Sequence, residues 1–295
     1  MYSNKHADVV KVFWDGKDKD GNQLGFNDDG FKEAIRRSYK DYMPRTMQRN
    51  NIDIGEKNIT EVMLDYVCAE KNFPDDNKSF LDKIKDWFNE TNIDQDTYDK
   101  WHKECCDKIL RCFKVYYDKG VTYGKAQKIV NMTMKGIYCL DGAENYEDWF
   151  KHCHMALDSI ILEWFKRDVK RIGDEKWSNL DKNKYEEYLE EIRNHFGVSK
   201  KILNTFDING LTPFQAEFYI WRDMQIHTLT ELLFSQEFGK EERIDKVNKK
   251  ISKNFDYVNE NDFKKAKGEF KKFSLEKKLA IVEDAITLIA EGINN

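Results

Sequence analysis

The stretch 121-VTYGKAQKIVNMTMKGIYCLDG-142 has the rhythm of a helix, yet it sets Lys125, Gln127, Lys128, Asn131 and Lys135 among apolar residues. On a helical wheel Gly124, Gln127, Lys128, Asn131 and Lys135 share one broad face, while Ala126, Ile129, Val130, Met134 and Ile137 fill much of the remainder. Three readings are open. The polar face looks to water. Or Gln127 and Asn131, one turn apart, join His154 or Asp158 in a buried network that fixes helix register, because buried amides demand partners. Or Lys128 is an amine nucleophile with Asp158 as its helper.

The flanks place this helix at the centre of a mainly α chain. Upstream, Asp94 or Asp96 opens a long helix carrying Tyr98, Trp101, Cys105, Ile109, Cys112, Phe113 and Tyr116, with Gly120 in the C-terminal glycine position. Thr122 is the expected cap of the central helix. Downstream, Leu157, Ile160, Ile161, Trp164 and Phe165 form an i, i+3, i+4, i+7, i+8 stripe, and Asp158 sits in its first turn. A helix from Lys184 to Phe196 stops at Gly197. Thr212-Pro213-Phe214-Gln215 combines a capping box with proline at the first helical position, and opens a helix expected to reach Phe238.

Nearer the N-terminus, Asp8–Trp14 is β-branched and aromatic and is followed by a Gly/Asp-rich turn, so a strand is expected there with GNQLGF returning beside it. Asp28 or Asp29 caps a helix bearing Phe31, Ala34, Ile35, Tyr39, Tyr42 and Met43. Two more helices carry Ile59, Val62, Met63, Tyr66 and Val67, then Phe80, Leu81, Ile84, Trp87 and Phe88. The C-terminal part gives charged helices from Lys240 and over Asp262–Phe273, and a last one capped by Ser274. The expected organisation is an N-terminal module with short strands and helices over 1–93, a central helical core over 94–239, and charged C-terminal helices over 240–295.

The 295 residues suffice for a sizeable core; only three prolines and a 35% charged content favour helix over sheet. The net charge of −5 does not by itself argue for nucleic acid. It is uneven: Lys240–Lys278 holds 13 basic and 8 acidic residues, a net of +5, which leaves −10 on the rest. That suits either a solvated surface or a basic arm that docks on an acidic partner or a second copy. The cysteines Cys68, Cys105, Cys106, Cys112, Cys139 and Cys153 follow no disulfide framework, the first residues lack an apolar signal core, and the apolar run 279–292 contains Glu283 and Asp284. A cytoplasmic protein, without membrane contact, is expected.

Candidate chemistry is thin. Asp18-x-Asp20-Gly21 and Asp207-x-Asn209-Gly210 resemble calcium loops, but both lack the first ligand and the closing glutamate. His102, Cys106, Cys139 and His152-Cys153-His154 offer zinc donors without any C-x-x-C pair. His154, Asp158 and Ser159 suggest a triad, but Ser159 falls inside a helix and no G-x-S-x-G elbow exists. No Walker loop or G-x-G-x-x-G occurs. No metal and no cofactor is expected. A lysine nucleophile at Lys128 would suit lysine-dependent DNA glycosylases, though the glycine hairpin that grips DNA in them is not visible.

Three blocks, YGKAQKIVNMTMK (123–135), HCHMALDSIILEWF (152–165) and LTPFQAEFYIWRDM (211–224), resemble the phage-encoded inhibitors of the Gabija defence complex over roughly Thr122–Met224. The resemblance implies a viral anti-defence protein that is not an enzyme. It would bind the bacterial nuclease and helicase-like subunits in the host cytoplasm, oligomerise around them, and block DNA binding and cleavage, with little direct contact to nucleic acid. No functional residue carries over with it. On this view Gln127, Lys128, Asn131, His154 and Asp158 form a polar core network. Phe270, Phe273, Leu275, Leu279, Val282, Ile286 and Ile289 are the candidate oligomer or partner interface, because a terminal helix with a wide apolar stripe must bury it somewhere. Packing onto its own domain would serve equally. The competing reading is a DNA-processing enzyme or DNA-binding protein using Lys128, Asn131, His154 and Asp158.

Overall fold

The computed structural model describes residues 9–11, 13–42, 48–49, 78–173, 175–198, 202–203, 206–207, 210–235, 239–254 and 273–291. Its elements in chain order are α1 (Asp28–Tyr42), β1 (Gln48–Arg49), α2 (Phe80–Phe88), α3 (Gln95–Tyr116), β2 (Tyr117–Lys119), α4 (Tyr123–Tyr138), α5 (Glu147–Phe150), α6 (Ser159–Asp168), α7 (Lys182–Val198), β3 (Ile202–Leu203), β4 (Phe206–Asp207), α8 (Pro213–Phe234), α9 (Lys240–Asn254) and α10 (Leu275–Glu291). The protein is mainly α, as its periodicity indicates. No helix among the described residues is long and apolar enough to cross a membrane.

The chain forms two compact units. The larger comprises 16–201 and 207–217; the smaller comprises 1–15, 202–206 and 218–295. The division falls within α8, between Glu217 and Phe218, and not near residues 93 and 239. A capping box and a long apolar helix mark one element in sequence; which neighbours each half of that helix recruits is a tertiary matter.

In the larger unit α4 is the axis, with α1 and α3 packed along it. Local chemistry sets most of the helix starts. Ser79 and Asp82 form a full capping box on α2. Asp94 accepts from the Thr97 N–H at the start of α3, and Asp158 from Ile160 and Ile161 at the start of α6. Thr212 and Gln215 exchange their capping bonds as expected. Two glycines allow close approach: a Cβ on Gly124 would lie 2.0 Å from the Trp177 carbonyl oxygen, and one on Gly30 would lie 2.2 Å from that of Gly25. Gly124 sits where the 177–179 turn lies against α4, and its N–H donates to Leu180 at 2.8 Å.

Several expectations are corrected. Residues 9–11 and 13 are helical, not a strand, and the Trp14 N–H reaches back to the Val10 carbonyl at 3.2 Å. Val9, Val10, Phe13 and Trp14 follow an i, i+1, i+4, i+5 helical stripe that the β-branched residues disguise. The segment GNQLGF returns only as single bridges, Lys17 with Gln23 and Gly25 with Asp141. Asn27, not Asp28 or Asp29, caps α1 through its side-chain oxygen. Helix α3 ends at Tyr116 rather than Gly120, because the chain turns extended there and β2 pairs antiparallel with β1. Thr122 occupies the cap position of α4 but spends its hydroxyl on the Ser178 carbonyl at 2.7 Å. The stretches carrying Ile59–Val67 and Asp262–Gly268, and residues Met43, Asn209 and Phe270, lie outside the described residues.

The smaller unit holds the last turns of α8 with α9 and α10. Leu229, Leu233, Ile244, Val247, Ile251, Val282, Ala285 and Ile289 form its apolar core. Phe13 sits edge-on to Phe218 and Trp221, with ring centroids 5.7 and 6.3 Å away. The residues named as a candidate interface lie in and around this cluster. Val282 and Ile289 are fully buried inside the chain itself, and Phe273, Leu275, Leu279 and Ile286 are partly buried against the same cluster. The buried part of the stripe on α10 finds its cover in α8 and α9.

Candidate functional site: the polar core around α4

Of the residues in α4, every one but Lys128 is buried. The helix therefore has no face turned to water, and its amides and lysines must be satisfied inside the protein. Gln127 does this with both ends of its amide. Its nitrogen donates to the carbonyls of Gly124 (2.9 Å) and Leu157 (2.8 Å), and its oxygen accepts from Asn131 (2.9 Å) and the Leu157 N–H (3.3 Å). Asn131 Nδ2 also lies 3.0 Å from the Met155 carbonyl and 3.1 Å from the Tyr185 hydroxyl. The segment 155–157 is not helical, and α4 side chains take up part of its backbone hydrogen bonding.

The network continues to the protein surface. The Tyr185 hydroxyl is 2.9 Å from His154 Nδ1, and His154 Nε2 is 2.8 Å from Asp99 Oδ1. A carboxylate only accepts, so the shorter contact to Asp99 puts the His154 proton on Nε2 and leaves Nδ1 to accept from Tyr185; Arg193 Nη2, 3.2 Å from Nε2, then donates to Asp99 and not to the ring. The chain then runs in one direction, from the Asn131 amide through Tyr185 and His154 to Asp99. Gln95 (2.9 Å) and Arg193 (2.7 Å) donate to the same Asp99 oxygen. Burial pushes the Asp99 carboxyl up, but the hydrogen bonds from His154 and Arg193 outweigh it and hold it well below the usual carboxylate range. Burial holds His154 and its neighbour His102, ring centroids 4.3 Å apart, below the usual histidine range.

A second polar element lies farther along α4. Lys135 Nζ and Glu217 Oε1 are 2.8 Å apart, each side chain 1% exposed. The other Glu217 oxygen accepts the Ala156 N–H at 2.8 Å. Burial raises the Glu217 carboxyl, against the pull of Lys135 and the Ala156 N–H. Lys125 turns its amine onto the Gly120 carbonyl at 2.5 Å.

Of the five residues singled out from the sequence, the structure brings Gln127, Asn131 and His154 into one network through Tyr185. It sets Lys128 and Asp158 apart as a pair 3.5 Å long, with the Lys128 amine 4.6 Å from the centre of the Trp177 ring. Asp158 spends its other oxygen on capping α6. The zinc donors fare differently: His102 and Cys106 touch at 3.7 Å, but no grouping of His, Cys, Asp and Glu among the described residues is arranged for a metal ion. Burial pushes the thiols of Cys105, Cys106 and Cys153 up, so they are poor nucleophiles. In the loop at Asp18, the carboxylate is turned inward onto the N–H groups of Asp20 and Asn22, as in an ordinary turn.

Sequence reasoning missed Tyr185, Asp99, Arg193 and Glu217. Glu217 left a trace, as an acid in the otherwise apolar run FQAEFYI; the other three sit on helices where charged and aromatic residues are unremarkable. No protein-family model, curated protein or solved structure matches the chain.

Proposed function

We propose that this protein is a viral anti-defence protein that binds the bacterial Gabija nuclease complex, oligomerises around it, and blocks its binding and cleavage of DNA. One observation carries the reading. The three blocks that resemble the Gabija inhibitors are the three segments that bond to each other in the core: Gln127, Asn131 and Lys135 from the first, Met155, Ala156 and Leu157 from the second, Glu217 from the third. The resemblance thus rests on residues that specify a scaffold, which suits a protein acting through its surface. The groups of the competing DNA-processing reading are occupied in the same scaffold: Asn131 and His154 are buried, and Asp158 caps a helix while facing Lys128.

The test is size-exclusion chromatography of the purified protein with the assembled Gabija complex, followed by DNA cleavage with increasing amounts of the protein. Co-elution and stoichiometric loss of cleavage are expected, unchanged by Lys128→Ala. Separate elution with cleavage intact would defeat the proposal. Turnover of DNA by the isolated chain, lost on Lys128→Ala, would favour the enzyme instead.

A further inference from the structure

A cavity of about 280 Å³ opens in the larger unit beside the surface end of the hydrogen-bonded chain. It is lined by the polar Gln95, His152 and Arg193 and by the apolar Leu189, Phe196 and Pro213. Arg193 is held in place by Asp99, but through Nη2 alone; Nε and Nη1 make no hydrogen bond to a described residue. The His152 ring is likewise unbonded among the described residues, although its carbonyl accepts from Gln95 at 2.9 Å. Lys151 stands at the rim on Asp148. Three acids therefore face this region, and none closes it; Asp94 is spent on capping α3. Asp148 belongs to an exposed pair, and the Asp99 oxygen nearest Arg193 already accepts from three donors.

A guanidinium anchored by a carboxylate, with N–H groups left over, is suited to an oxyanion. Leu189 and Phe196, one turn to either side of Arg193 on α7, add selectivity for an anion with an organic body. The volume, near the lower end of the range of about 300–1,000 Å³ for small-molecule sites, suits a phosphate with a ring-sized group attached. We propose that this cavity binds a small phosphorylated compound, with its phosphate on Arg193 and His152 and its apolar body against Leu189 and Phe196. The site is independent of the inhibitory reading, and its test leaves that reading untouched.

The test is calorimetric titration of the full chain with phenyl phosphate and with inorganic phosphate. Phenyl phosphate should bind one to one and on the order of tenfold more tightly than inorganic phosphate, since the ring adds apolar burial. Arg193→Gln should weaken binding by about tenfold or more through the lost charge-assisted bonds. Because Arg193 also balances Asp99, His152→Ala provides the second arm; its ring holds no structural bond, so circular dichroism should be unchanged while affinity falls severalfold. Equal affinity for the two probes, absence of saturable binding, or undiminished binding by a folded His152→Ala protein would each overturn the proposal.

Discussion

The two units solve the same packing problem with different chemistry. In the larger one, the central helix buries Gln127, Asn131 and Lys135 and bonds the Gln127 and Asn131 amide nitrogens and the Lys135 amine to segments that lie 24 to 82 residues away. In the smaller one, the buried cluster shared by α8, α9 and α10 is leucine, isoleucine, valine and alanine, with Lys278 buried on α10 and held by Glu241 and Asp245 of α9. An apolar core tolerates sliding and exchange of similar shapes, because the contacts are non-directional. A polar network does not, because each donor left without its acceptor costs free energy inside the protein. The larger unit should therefore be the sensitive one, and the smaller the forgiving one.

The largest effect should come from the buried ion pair. Lys135→Met strands the Glu217 carboxylate in the interior and should destabilise the larger unit by about 3–5 kcal/mol, whereas Lys135→Met with Glu217→Leu should recover most of that loss. Chemical denaturation followed by circular dichroism checks both. If the double variant is as unstable as the single one, the pair matters for more than mutual compensation, and the contrast between the cores sharpens. Next, Asn131→Leu removes the donor shared by Gln127, Met155 and Tyr185, and should cost roughly 1–3 kcal/mol despite its similar size.

Acid should separate the units as well. The folded-state values of His102 and His154 are depressed, so their contribution is present above the ordinary histidine value of 6.5 and is lost as pH falls below it. Asp99 is also depressed, so its contribution is complete above 3.8 and disappears only at lower pH. Stability of the larger unit should be flat from pH 7 to 8. Below 6.5 it should fall by up to about 1.4 kcal/mol per pH unit for each histidine that must take up a proton on unfolding. Hydrogen exchange read peptide by peptide should show α4 losing protection while α10 does not; equal loss in both would break the comparison. The smallest effect is expected in the apolar core, where Ile289→Val should cost about 0.5–1.5 kcal/mol by the same denaturation assay.

Much of this architecture was already legible along the chain, and the legible parts share a cause. The caps at Asp94, Thr212 and Ser274 and the stripes on α2, α3 and α6 arise from interactions within one or two turns, so a short window of residues determines them. What tertiary structure decided is where those helices face. The polar side of α4 reads equally well as a solvated surface or an interior network. It becomes the latter because Tyr185, Glu217 and the 155–157 backbone arrive beside it from distant parts of the chain. The stripe on α10 reads equally well as an interface, and α8 and α9 cover its buried part. Hydrogen-bond partners and apolar cover are properties of neighbours in space, and no local pattern of residues encodes which neighbours those will be.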